Sequence, residues 1–198
     1  MATLTFIAAG TANSSSISVP VSAQVGDLAV IWQYSISVSS IPISVIPSGF
    51  ASVVDVGSNS VGGTFGYRGI ISWKVLQVAD IGAPLPGMSG TILNDKIIEI
   101  WRLSESIALV TTSAFNSELT ENNPSQQTVL SGAGEAPLIV LGSAAGVTAA
   151  SFSVETPAFS STTTAADGFF IVGKTIYNSS PIDQVVDMND LGNGNRLS

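Results

Sequence analysis

The stretch at residues 26–34, G-D-L-A-V-I-W-Q-Y, constrains the fold of this chain more than any other. A polar turn, Gly26-Asp27, precedes a nearly unbroken apolar run, which is typical of a strand buried on both faces. A second turn, Pro47-Ser48-Gly49, introduces another apolar run in the same way. Gly and Pro supply the backbone angles that a chain reversal requires. We therefore predict a β-sheet protein whose central strand covers residues 28–35.

The same alternation of short apolar strand and small polar turn continues along the whole chain of 198 residues. About ten strands at regular spacing, without an amphipathic helix of normal length, predict an all-β, jelly-roll-like antiparallel β-sandwich. The strands are expected at residues 3–9, 17–21, 28–35, 50–56, 65–76, 96–103, 107–115, 128–130, 137–141, 152–154 and 168–177.

The segments between these strands define the expected domain organisation. Residues 78–82 favour one helical turn, and Pro84, Pro86 and Gly87 favour a loop after it. The polar, acidic segment 116–125 is the best candidate for a boundary or a long surface loop. We expect one domain over residues 1–198, with a loose C-terminal tail at 187–198.

The composition excludes several classes of chemistry. The chain has no cysteine and no histidine, which removes disulfides, thiolate metal sites, His-containing catalytic triads and the usual general base. Six basic residues against fourteen acidic ones give a net charge of -8, which argues against nucleic acid or an anionic membrane as a partner. No apolar run approaches the roughly 20 residues of a membrane span. The first residues resemble a strand rather than a signal peptide, so we expect the protein to be assembled in the cytoplasm.

The low content of charged residues indicates how the surface is used. Only 10% of residues are charged, whereas about a quarter is typical. Ser, Thr, Asn and Gly must therefore supply most of the polar surface. Because charged residues are depleted at the cores of protein interfaces, this composition favours a subunit of an assembly.

The three tryptophans could form a platform that binds sugars, or they could simply pack in the core. Trp32, Trp73 and Trp101 could stack against sugar rings if they were exposed, but all three lie in predicted strands among Ile and Val. Core packing is therefore the favoured interpretation. Phe50 follows a turn and is a candidate surface contact, although closing one end of the sandwich is the favoured role.

The acidic residues give no convincing catalytic arrangement. Glycoside hydrolysis needs two carboxyl groups about 5–9 Å apart across a cleft. The fourteen acidic residues are scattered, mostly in turns, and Glu99 is the one in a core-like context. A salt bridge between Glu99 and Arg102, or a charge on the sheet face, is favoured over catalysis. We expect no enzyme activity.

The C-terminal tail contains a partial calcium-loop pattern at residues 187–192, D-M-N-D-L-G. Leu191 occupies a ligand position and Ser198 stands where the bidentate acid belongs, so a plain acidic turn is favoured. We expect no metal and no cofactor. The candidate interface or ligand contacts are Phe50, Asp187, Asn189, Asp190 and Arg196.

Several short motifs, taken in order, resemble a family of small all-β virion proteins of tailed bacteriophages. They are T-F-I-A-A-G at the start, G-D-L-A-V-I-W-Q-Y, I-P-S-G-F, I-S-W-K-V-L-Q-V-A-D-I-G and I-I-E-I-W-R-L. The resemblance covers roughly residues 3–103 well and the second half loosely. Members have a jelly-roll-like sandwich and are described as decoration, head-fibre or tail-fibre-like proteins. The family implies no catalytic residues, and Phe50 stands where members carry Trp.

The resemblance and the composition together lead to two hypotheses. The first is a non-enzymatic virion structural protein, with a capsid decoration or cement protein favoured because the chain lacks heptads and stalk-like repeats. It would bind other virion subunits and form a homo-oligomer, for example a trimer. The alternative is a tail-fibre or receptor-binding module that binds host-surface carbohydrate.

Overall fold

The computed structural model describes residues 3–59, 63–104, 117–118, 126–130, 138–146, 161–165, 170–177, 183–187 and 194–197. The first seven strands in these residues are β1 Leu4–Ala12, β2 Ser16–Ser18, β3 Leu28–Val38, β4 Ala51–Asn59, β5 Phe65–Val75, β6 Pro84–Pro86 and β7 Leu93–Leu103. The next seven are β8 Ser117–Glu118, β9 Gln126–Leu130, β10 Leu138–Gly146, β11 Ser161–Thr164, β12 Phe170–Tyr177, β13 Asp183–Asp187 and β14 Gly194–Leu197.

Two five-stranded antiparallel sheets make up most of the described chain. The first has the order β1-β7-β3-β5-β4, and the second has the order β11-β12-β10-β14-β8. Two smaller pairs, β13 with β9 and β2 with β6, complete the strand pairings of the described residues. The predicted all-β sandwich class is confirmed, and β3 is the middle strand of its sheet as predicted.

The strand β3 is buried on both faces because a separate apolar cluster covers each face. Leu28, Val30 and Trp32 belong to one cluster, which we call the front core, and it also contains Ala165 and Val172 from the second sheet region. Ala29 and Ile31, which alternate with them along β3, belong to a second cluster, which we call the back core. Residues of β2, β6 and the turn before β4 cover this cluster. The alternation of side chains along a strand explains why consecutive residues enter different cores.

The structure differs from the sequence-based expectation at two segments. Pro84–Pro86 was expected to lie in a loop but forms β6, which pairs with β2. Proline is tolerated there because each strand is short and lies at an edge. The tail was expected to be loose, yet Gly194–Leu197 forms β14 and pairs with both β10 and β8.

Other predictions have clear outcomes or lie beyond the described residues. The helical turn expected at 78–82 is confirmed as a 3-10 turn at Val78–Asp80. The strands predicted at 107–115 and 152–154 lie outside the described residues. The segment 116–125 is described only at Ser117–Glu118, which pairs with β14.

Candidate interaction surface

The turn before β3 is held by the carboxylate of Asp27. Gly26 has a φ of 91°, which glycine tolerates without strain, and its N–H donates to the Leu76 carbonyl oxygen at 2.9 Å. Both oxygens of Asp27 accept hydrogen bonds from Arg102 of β7, each at 2.8 Å, and one also accepts from Gln24 N–H. The G-D-L motif therefore has a structural role, since it fixes β3 to its neighbours β5 and β7.

These contacts determine the electrostatics of Asp27, whose side chain is 3% exposed. Burial by itself raises the pKa of Asp27. The hydrogen bonds from Arg102 and from Gln24 N–H outweigh burial, so the pKa lies below its ordinary value of 3.8. Arg102 is thus committed to Asp27 within the chain.

The turn before β4 positions Phe50. Gly49 has a φ of 79°, and Phe50 N–H donates to the Pro47 carbonyl oxygen at 3.0 Å. The Phe50 side chain is 9% exposed and packs in the back core, so Phe50 is a core residue and not an exposed contact. Lys74 Nζ lies 5.8 Å from the Phe50 ring centroid, within the range of a cation–π contact, and 2.7 Å from Asp80 Oδ1.

Exposed apolar side chains are concentrated at the two ends of the first sheet. Val25, Val75 and Val78, here called the Val78 surface, lie where β3 begins and β5 ends. They are 40–79% exposed, and Val21, in the loop between β2 and β3, is 92% exposed. Val75 pairs with Leu28 at the start of β3. The hydrogen bond from Gly26 N–H to the Leu76 carbonyl oxygen brings Val25, the residue before Gly26, to the same end of the sheet.

The opposite end carries a second group, Val38, Phe65 and Ile92, here called the Val38 surface. Val38 pairs directly with Phe65, and Ile92 N–H donates to the Ile36 carbonyl oxygen at 3.0 Å. Ile43, which is 80% exposed, lies in the loop after β3. Six of the eight large hydrophobic side chains that are exposed in the described residues therefore lie at one of these two ends, whereas Val21 and Ile43 lie in loops.

The three tryptophans do not form an exposed platform. Trp32 is 1% exposed and Trp101 is 0% exposed, and the Trp101 ring packs edge-on against Phe6 with centroids 5.2 Å apart. Trp73 is partly buried and packs against the front core. The core interpretation is therefore confirmed for Trp32 and Trp101, whereas Trp73 keeps part of its ring at the surface.

Glu99 lies inside the sandwich, and its suggested partner was wrong. Its side chain is fully buried in the first sheet, and Thr163 Oγ1 donates to Glu99 Oε1 at 3.2 Å. Arg102 pairs with Asp27 instead, because residues three apart on a strand point to opposite faces. Glu99 thus contributes to the contact between the two sheet regions.

The sequence analysis missed a buried polar cluster around Lys96 on the back face of the first sheet. Lys96 is 0% exposed, and its Nζ donates to the Ser14 carbonyl oxygen and, at 2.7 Å, to Asn94 Oδ1. Burial lowers the pKa of Lys96 from 10.5 to about 8, although the nearby Asp95 raises it. Nearby, Gln33 accepts from Met88 N–H and donates to the Val45 carbonyl oxygen.

This cluster joins strands to loops and contains no reacting pair. The one available sequence signal was a Lys placed in β7 immediately before Ile97 and Ile98. That position indicates a strand interior, but only the fold shows that the Ser14 and Met88 segments cover it. In the part of the chain with described side chains, no three carboxylates come together as a metal site.

The predicted contact residues of the tail are only partly described. Asp187 lies in β13 opposite Gln126, and Arg196 lies in β14 between Ala144 and Glu118. Asn189 and Asp190 lie outside the described residues.

Comparison with known proteins adds no family. No family model, no curated protein and no solved structure matches this chain. Among the helices that the structure describes, none is long and apolar enough to cross a membrane. The resemblance to phage virion proteins therefore stays a prediction from the ordered motifs.

Proposed function

We propose that this protein is a non-enzymatic bacteriophage virion structural protein, with a capsid decoration or cement protein as the favoured form. It acts by binding neighbouring virion subunits. The phage assignment rests on the order of the short motifs in residues 3–103. The mode of action rests on the structure of the same region.

The observation that supports subunit binding is the placement of exposed apolar side chains at both ends of the first sheet. Val78 and Val25 are 79% and 59% exposed at one end, and Val38 and Ile92 are 53% and 48% exposed at the other. Exposed apolar groups gathered at defined places mark interaction sites more often than scattered ones do. Two such ends on one module suit a subunit that contacts neighbours on two sides.

The charged residues support the same mode of contact. Arg68, Lys74 and Arg102 form ion pairs with carboxylates of their own chain, and Lys96 is buried. Four of the six basic residues are thus committed inside the chain. Few cations remain to pair with a neighbouring subunit, so apolar and neutral hydrogen-bonding surface must supply most of the contact.

The carbohydrate-binding alternative has weaker support. Stacking on a sugar needs an exposed aromatic face, and Trp32 and Trp101 are buried. Trp73 and Phe65 keep part of their rings accessible on β5. A glycan array tests this alternative, and binding that disappears in Trp73→Ala would favour the receptor-binding module.

Localisation in the particle tests the proposed function. Antibodies raised against the recombinant protein would be applied to virions from the source of the chain, with immunogold electron microscopy as the measurement. Regular labelling of the head supports a decoration protein, and labelling of the tail supports the fibre-like form. Purified particles that contain none of the protein by mass spectrometry would contradict the virion role.

A further inference from the structure

The outer edge of strand β4 carries backbone hydrogen-bonding groups that no other described strand pairs with. β4 is the last strand of the first sheet and pairs only with β5 among the described strands. The opposite edge strand, β1, lies beside β2, since a Cβ at Gly10 would meet Pro20 and the Ser18 carbonyl oxygen. An open edge presents a row of N–H and C=O groups that can pair with another strand.

The strand β4 lacks most of the features that normally block such pairing. It spans nine residues, which is longer than the usual five or six, and contains no proline. A bulge interrupts its register with β5 between Ser52 and Val54. From Val54 to Asn59 the pairing with β5 is regular, so a continuous ladder edge of six residues remains.

The single charge of β4 is neutralised within the chain. Asp55 Oδ1 accepts from Arg68 Nε at 2.7 Å, and Asp55 Oδ2 accepts from Ser44 Oγ at 2.6 Å. A charged residue on an edge usually disfavours edge-to-edge association. Because Asp55 is already paired, it opposes the approach of a second strand less than a free carboxylate would.

We propose that β4 pairs antiparallel with β4 of a second copy of this chain, about a two-fold axis at Val56. This inference rests on the proposed function in that an assembly subunit needs contacts between copies. The first sheet of one copy and the first sheet of the other would then join into one sheet of ten strands. Identical strands suit this contact because an antiparallel pair about a two-fold axis satisfies the same groups on both partners.

The register follows from charge and from the front core. An axis at Asp55 would place two carboxylates directly opposite each other, which is unfavourable. An axis at Val56 instead places Asp55 opposite Gly57 of the partner subunit. It also brings together two copies of Val56, a residue that packs against the front core, so the apolar layer continues across the contact.

Cysteine cross-linking tests the register directly, because the natural chain contains no cysteine. Residues directly opposite on antiparallel strands have Cα atoms about 4.5–5.5 Å apart, within the range that a disulfide spans. Val56→Cys should form a disulfide-linked dimer under mild oxidation. The matched control Val78→Cys, on the Val78 surface, should cross-link at least tenfold less.

Hydrogen exchange on the unmodified protein provides a second measurement that does not depend on a variant. Peptides covering β4 should exchange several-fold more slowly at high than at low protein concentration, while peptides covering the central strand β3 stay unchanged. Concentration-independent exchange in β4 together with no Val56→Cys cross-link overturns the proposal. Slower exchange of β4 at high protein concentration, without a Val56→Cys disulfide, would overturn the register centred on Val56.

The two measurements also separate this inference from the proposed function. Cross-linking of Val78→Cys alone would place the contact at an apolar end, which overturns the β4 pairing and leaves subunit binding intact. A β4 dimer in a protein that is absent from virions supports the pairing and contradicts the virion role.

Discussion

At the scale of single residues, Lys96 has the environment least suited to its charge. A fully buried ammonium group loses hydration that two hydrogen-bond acceptors only partly replace. The sequence gives its place in a strand but not its burial, because loops distant in sequence cover it.

The depressed pKa of Lys96 predicts a pH dependence of stability. Its pKa is about 8 in the folded chain and 10.5 ordinarily, so the unfolded chain holds more protons between these values. The contribution of Lys96 to the free energy of unfolding should therefore rise as pH increases from about 8 to 10.5. Urea unfolding at several pH values would measure it, with Lys96→Met as the variant in which the rise disappears. An identical pH profile in wild type and variant would contradict the prediction.

The tryptophans should differ in their contribution to stability. Trp101→Ala should lower the free energy of unfolding by about 3–5 kcal/mol, as expected for a large side chain removed from a closed core. Trp73→Ala should cost clearly less, because part of its ring already contacts solvent. Chemical denaturation of both variants checks the order. A larger loss for Trp73→Ala would show that its ring is buried more deeply than the structure has it.

At the scale of elements, the sequence predicts local structure well and long-range pairing poorly. The apolar run of β3 and its glycine turn identified the central strand. The order β1-β7-β3-β5-β4 could not be predicted, because it depends on contacts between residues far apart in the chain. The prolines of β6 favoured a loop, since the pairing with β2 that makes them a strand is nonlocal.

The turn that begins β3 should depend on Asp27. Asp27→Asn removes the ion pair with Arg102 and should lower the free energy of unfolding by about 1–2 kcal/mol. The loss is not larger because the Arg102 side chain is partly exposed, so solvent screens the ion pair. The pKa of Asp27 is lowered in the folded chain, so its contribution is present above the ordinary value of 3.8 and is lost as pH falls through the folded pKa. Thermal unfolding between pH 2 and 6 should therefore show a smaller acid loss in Asp27→Asn.

The start of β5 should tolerate no side chain at Gly66. A Cβ there would overlap the backbone of Ser40, which cannot rotate away as a side chain can. Gly66→Ala should therefore cost about 3 kcal/mol or more. Gly10→Ala is the matched control, since its Cβ would lie 3.2 Å from the side-chain atom Ile98 Cγ2 and should cost less. Equal stability of the two variants would contradict the close approach of these segments.

At the scale of the whole molecule, few free basic side chains and two apolar ends define how the protein can meet a partner. A net charge of -8 makes identical copies repel each other. Contacts between copies must overcome this repulsion with surface that salt does not screen.

Association as a function of salt and concentration tests this account most directly. The screening length falls from about 10 Å at 0.1 M salt to about 3 Å at 1 M, which weakens repulsion but not apolar or hydrogen-bonded contacts. Analytical ultracentrifugation across this range should show self-association that holds or strengthens, and Val78→Glu should weaken binding to purified particles through the Val78 surface. Dissociation at 1 M salt, or a monomer under every condition together with no binding to purified particles, would contradict assembly through neutral surface.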